Sequence, residues 1–170
     1  MAGSIWCLPT STKGGLKLES EVSIDPFKKH WEIIALDHDV NSPRDASSGL
    51  ATGRRQHKPL TLTMELGKLF PLFHQAIFTN DTIAKMEIKF FSARQMGTVA
   101  SAAGKMINVY TLILTNATVC DVRTAVRNIK NPENTKYEAF QEVQFTYQKI
   151  ESIWKEGNIT GTDDWEKQNV

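Results

Sequence analysis

The triplet "DHD", Asp37 to Asp39, sets two carboxylates around an imidazole, the inventory of an acid–base pair or a metal corner. Alternation along a strand would place Asp37 and Asp39 on one face and send His38 through the sheet, so the three cannot converge locally. Two like charges on one face suit a solvated wall. The four histidines (His30, His38, His57, His74) fall in different segments, and no HExxH or GxSxG frames a zinc ion or a nucleophile. Asp163, Asp164 and Trp165 invite a calcium reading, but the oxygen-ligand count of a calcium loop is missing. No catalytic, metal or cofactor site is expected.

A second candidate is the glycine-bracketed basic loop "SSGLATGRRQ". A phosphate loop of Walker type needs GxxxxGK[ST] between a strand and a helix, so that backbone amides and a lysine surround the phosphates. Here Gly49 and Gly53 are separated by three residues, Arg54 and Arg55 follow, and a strand pattern comes next. Arg44, Arg54, Arg55 and Lys58 lack the interleaved aromatic residues that would stack bases, so no nucleic acid is expected as a partner. The better reading is a flexible arm whose guanidinium groups suit carboxylates on a neighbouring protein.

Other chemistry is thinner. Cys7 and Cys120 have no zinc spacing. They leave a long-range disulfide or two buried free thiols, the second being favoured. The sequons at Asn80, Asn116 and Asn158 have no secretory signal to give them use. Trp6, Trp31, Trp154 and Trp165 read as core or interface anchors rather than a sugar platform.

The elements that would carry these residues are strands. In "HKPLTLTME", Leu60, Leu62 and Met64 alternate with Thr61, Thr63 and Glu65. In "AKMEIKFF", Met86, Ile88 and Phe90 oppose Lys85, Glu87 and Lys89, and in "AFQEVQFTYQK", Val143, Phe145 and Tyr147 oppose Glu142, Gln144, Thr146 and Gln148. Each reads as a half-buried antiparallel strand. "HWEIIALDHDV" and "INVYTLILTNATVCDVRTAVR" are apolar on both faces over part of their length, as strands are when a second surface covers them. One helix is expected after Pro71, with Leu72, Phe73, Ala76 and Ile77 as its apolar stripe and Thr79 or Asn80 as its stop. Polar loops are read in "NSPRDASSGLATGRRQ", "RQMGTVASAAGK" and "NIKNPENTKYEA".

The 170 residues suit one domain, residues 1–170, with 41% apolar side chains and a net charge of +1 from twenty basic and nineteen acidic residues. That balance speaks against bulk capture of DNA or an anionic membrane. No stretch reads as a signal peptide, and no run approaches the roughly 20 apolar residues of a membrane span. Synthesis in the cytoplasm, export by a route needing no signal peptide, and no membrane insertion are expected. The fold class is all-β with one α-helix, a barrel or sandwich, with an extended loop at 41–56 and a polar tail at 156–170.

The order of these segments carries a resemblance. "HWEIIALDHDV", a long loop ending "GRRQHKPLTLTMEL", the helix after Pro71, "MEIKFF", "YTLILTNATVCDV", "QEVQFTYQKIES" and a "GTDDW" tail together resemble the Hcp family, the haemolysin-coregulated tube proteins of the type VI secretion system, from about Ser4 to Trp165. The resemblance implies a compact β-barrel of two antiparallel sheets with one helix, a homohexameric ring and no enzymatic activity. It further implies rings stacked into a tube within a contractile sheath, tipped by a spike and built on a baseplate. Contraction would expel the tube from the bacterial cell to the exterior or a target cell, with small effector proteins in its lumen. Family members often carry Ser or Asp before the helix proline; here Leu69 and Phe70 stand there, leaving no side-chain cap and a buried Phe70 as the expectation. With no toxin domain after Trp165, a structural rather than effector-fused member is expected. The alternative is a monomeric β-barrel that binds a small ligand or peptide. On the tube reading, Asp37 and Asp39 could face the lumen. The arm at 41–56 would contact a neighbouring subunit or ring through Arg44, Ser47, Ser48, Gly49, Thr52, Arg54 and Arg55.

Overall fold

The computed structural model describes residues 3–92 and 106–165. The loop read in "RQMGTVASAAGK" and the last five residues of the tail lie outside them. Ten strands and one helix follow in the order β1 (Gly3–Pro9), β2 (Trp31–Ile33), β3 (Ala35–Asp37), β4 (Val40–Asn41), β5 (Gln56–His57), β6 (Leu60–Glu65), α1 (Leu69–Phe78), β7 (Thr82–Ser92), β8 (Ile107–Ala125), β9 (Phe140–Trp154) and β10 (Ile159–Asp164). Eight strands form one antiparallel sheet in the order β2-β1-β7-β8-β9-β6-β3, with β10 on β9; β4 and β5 form a separate two-stranded sheet.

The sheet nearly closes because its two ends are adjacent in the chain. β2 pairs with β1 through Ile33↔Ile5, and β3 pairs with β6 through Ala35↔Thr63. The residue between them, Ile34, donates its amide to the Thr63 carbonyl at 2.8 Å. One short stretch therefore joins both edges, which leaves little exposed ladder. The barrel with one helix expected from the alternating segments is what forms, its two antiparallel sheets being the eight-stranded barrel and the small hairpin.

Alternation decides the core. Leu60, Leu62, Met64, Met86, Ile88, Leu114, Val143 and Phe145 are all buried. Each such side chain contributes roughly 1.5–3 kcal/mol of apolar burial. β7 keeps this alternation to its end: Phe90 packs against the core, while Phe91, on the Trp6 face, is buried against Phe27 with ring centroids 5.0 Å apart. The bulge between Phe90 and Phe91 shifts only the register against β8. Phe90 lies half-buried against Tyr110, ring centroids 5.2 Å apart. A second bulge, between Val119 and Asp121, turns Cys120 outward. Cys7 is buried and Cys120 exposed, both free, so the expectation of two buried thiols is corrected at Cys120.

α1 begins two residues before Pro71, which falls in its first turn. No side chain caps it, as the missing Ser or Asp implies, and the Phe70 amide instead donates to the Gly67 carbonyl at 3.0 Å. Leu69, rather than Phe70, is the buried residue there, because it faces the barrel with Phe73 and Ala76. Phe70 is half-buried under His74, ring centroids 4.2 Å apart. Thr79 is the C-cap, and Asn80 turns the chain with φ 49°, a left-handed conformation that asparagine tolerates. Among the described residues no helix is long and apolar enough to cross a membrane.

Candidate functional site

The arm is a built hairpin. β4 and β5 pair through Asn41↔Gln56 and Val40↔His57, and an isolated bridge joins Arg44 to Ala51 farther out. Asp45 makes the tip: its carboxylate accepts from the Ser47 hydroxyl at 2.7 Å, the Ser48 amide at 2.9 Å and the Ser48 hydroxyl at 2.6 Å. These donors, Ser48 first, hold the carboxyl well below its ordinary range. Gly49 adopts φ +68°, and its amide donates to the Asp45 carbonyl at 2.9 Å. Arg44 Nη1 returns to the Gly49 carbonyl at 3.1 Å, and the Thr52 amide donates to the Pro43 carbonyl at 3.1 Å. Leu50 is 69% exposed at this tip. The arm presents an apolar point on a stiffened turn.

Its root is a chain of polar groups. His38 Nε2 lies 2.6 Å from the Tyr147 hydroxyl, which lies 2.8 Å from His57 Nδ1. His57 Nε2 donates to Asp163 Oδ2 at 2.6 Å. Arg55 Nε donates to the same carboxylate oxygen, while its Nη2 reaches the Asp164 carbonyl at 3.1 Å. The Asp164 amide donates to Asp163 Oδ1 at 2.9 Å. Trp165 lies beside His57, ring centroids 5.6 Å apart. The residue after β3, a residue of β5 and the outgoing leg of the arm are thus tied to β9 and β10.

A carboxylate, an imidazole and a hydroxyl in series have the order of a catalytic relay. The electrostatics run the other way. Burial first, and the Asp163 charge second, push the Tyr147 hydroxyl up to about 12, when an activated nucleophile needs the opposite shift. The side chain is also only 6% exposed, with an imidazole on either side. Burial pushes the Asp163 carboxyl up, but its bonds from Arg55 and His57 outweigh this and hold it below its usual value. His38 is lowered by burial, then by His57, against the opposing pull of Asp39 and Asp37. The arrangement is a fastening. Among the described residues no group of three His, Cys, Asp or Glu side chains is placed to hold a metal ion.

The comparisons meet this geometry. Residues 13–154 match the family model described as "Type VI secretion system effector, Hcp". The chain belongs to the Hcp family. A protein of Pseudomonas aeruginosa named "Major exported protein" is 33% identical, the match covering 97% of this chain and 96% of that one. Among solved structures, "Crystal structure of Hcp protein" superposes with a TM-score of 0.83 at 20% identity, covering 98% of this chain and 99% of the other. The secreted protein Hcp3 from Pseudomonas aeruginosa gives 0.70 at 24% identity, with 98% and 100% covered. At those identities the structures speak for the fold.

Within this Hcp barrel the residues singled out from sequence part into two groups. Arg44, Ser47, Ser48, Gly49 and Thr52 build the tip and bond within it, whereas Arg54 is exposed and joins no ion pair or hydrogen bond among the described residues. Arg55 belongs to the root instead. Asp37 ends β3 exposed, and Asp39 pairs with Lys58 at 2.5 Å. His38 parts from both and turns toward Tyr147. Tyr147, His57 and Asp163 were not expected to meet. A tyrosine on the buried face of a strand was the available signal, since its hydroxyl needs a partner.

Proposed function

We propose that this chain is a structural subunit of the type VI secretion inner tube. Six copies close head-to-tail into a ring, rings stack, and sheath contraction expels the tube with its spike, carrying small effector proteins in the lumen. The observation that carries this reading is the family match over residues 13–154, on a barrel whose arm offers contacts that its own chain does not use. Leu50 and Arg54 are those contacts, the one an exposed apolar side chain and the other a guanidinium with no partner among the described residues. Asp37 is assigned to the lumen wall, and Asp39 with it, as exposed carboxylates outside the core.

Export tests the reading. The protein is expected in the medium of cells with a working sheath and absent from the medium of sheath-deficient cells. Equal amounts outside both, without release of a cytoplasmic marker, would contradict it.

A further inference from the structure

The root of the arm can hold only a limited number of protons, and hydrogen-bond direction shows why. Asp163 accepts from His57 Nε2, so in neutral His57 the Nδ1 atom is bare and accepts the Tyr147 proton. The Tyr147 oxygen then accepts from His38 Nε2–H. One added proton on His57 Nδ1 reverses the series: His57 donates to Tyr147, and Tyr147 donates to a bare His38 Nε2. A proton on His38 Nδ1 leaves the first arrangement intact. Two added protons are disfavoured. Both imidazolium rings would then donate to the one hydroxyl oxygen, its own proton would have no acceptor left in the series, and two positive charges would stand with ring centroids 6.5 Å apart.

We propose that His38, Tyr147, His57, Asp163 and Arg55 form a proton-limited latch that fastens the arm to the barrel near neutral pH and releases His38, and with it the incoming leg of the arm, in mild acid. The surrounding contacts fix which leg is released. His57 keeps Asp163 and Arg55 beside it, and its side chain is only 3% exposed. His38 is half-buried, with His57 opposing its charge and the carboxylates of Asp39 and Asp37 favouring it, the former already paired with Lys58. Asp164 offers its carbonyl to Arg55 and acts on that residue rather than on His38. Burial already lowers the affinity of His38 for a proton, in the direction the latch requires. The released leg is short: β4 has two residues and is exposed, so little besides the root holds it. The consequence for assembly rests on the reading of the arm as a contact between copies; the latch itself does not.

Hydrogen exchange of the full chain, corrected for the intrinsic effect of pH, tests it at pH 7.5 and 5.0. The reporters are the amides of Asn41, Gln56 and Lys58, the last donating to the Asp39 carbonyl at 3.0 Å. If the latched series refuses its second proton, one that a free imidazole takes near 6.5, protection falls by up to about 30-fold between these values. His38→Gln keeps a hydrogen bond to Tyr147 without a titrating group, and its protection should change by less than about 3-fold. Tyr147→Phe lacks the shared oxygen, so its arm should exchange fast at both values, again with less than about 3-fold change. The same pH profile in the parent and His38→Gln would overturn the latch, whether or not tubes form. Tube formation by Arg54→Glu at pH 7.5 reports separately on the arm as a contact, and a negative there leaves the exchange result standing.

Discussion

Replacing Tyr147 by Phe deletes one oxygen and almost no volume, so it isolates what the root's hydroxyl contributes. That oxygen serves His38 Nε2 at 2.6 Å and His57 Nδ1 at 2.8 Å. His57 cannot turn to water in compensation, because its side chain is 3% exposed and its other nitrogen is held by Asp163. A lost hydrogen bond costs about 0.5–1.5 kcal/mol, and a buried group left without a partner costs about 1–3 kcal/mol. One imidazole nitrogen stranded inside and one half-exposed partner lost give a destabilisation of roughly 2–3 kcal/mol. Tyr110→Phe is the matched control. Its hydroxyl has no hydrogen bond among the described residues, so that change should fall within about 0.5 kcal/mol of the parent. Denaturant titration at one protein concentration reads both, with the shift in midpoint at constant slope giving the energies. Equal midpoints for the two variants would refute the reasoning.

The remaining expectations concern titration and charge. Burial lowers the folded pKa of His30 and of His38 below 6.5, so the unfolded chain takes protons first. Stability should be full above about pH 6.5 and fall as pH drops below it, before the carboxylates titrate; a thermal midpoint that is flat from pH 7.5 to 5.0 would contradict this. The two arm arginines should separate. Arg54→Glu should leave the midpoint of unfolding unchanged while weakening association between rings, read by electron microscopy of tubes. Arg55→Glu sets a carboxylate against Asp163 and should lower the midpoint itself; equal effects of the two on both readouts would count against the division of the arm into tip and root.

Some of this was legible in the chain, for local reasons. Leu60, Leu62 and Met64 sit inward as their alternation requires, because an antiparallel strand with one wet face admits no other register. Pro71 marked the helix, and Thr79 and Asn80 its end. The burial of Phe91 and the exposure of Cys120 were not legible, since the one depends on Phe27 covering it from far along the chain and the other lies at a bulge against a partner strand. The arm's length was plain, but not its order: Asp45 was passed over, although a carboxylate followed by two serines within three residues is a turn-forming group. The root was the least legible part. His38 and Tyr147 are 109 residues apart, His57 and Asp163 are 106 apart, and Tyr147 counts as one more apolar residue in its strand's alternation. The pairing of β10 with β9 brings in Asp163, and the pairings of β3 with β6 and of β6 with β9 bring His38 to Tyr147.

The proposed tube begins with a ring, so the mass of the assembled particle tests it most directly. Native mass spectrometry of the purified chain at micromolar concentration should show a species of six times the 19.1 kDa subunit. A particle that stays at 19.1 kDa across the accessible concentration range would contradict the assignment as a tube subunit.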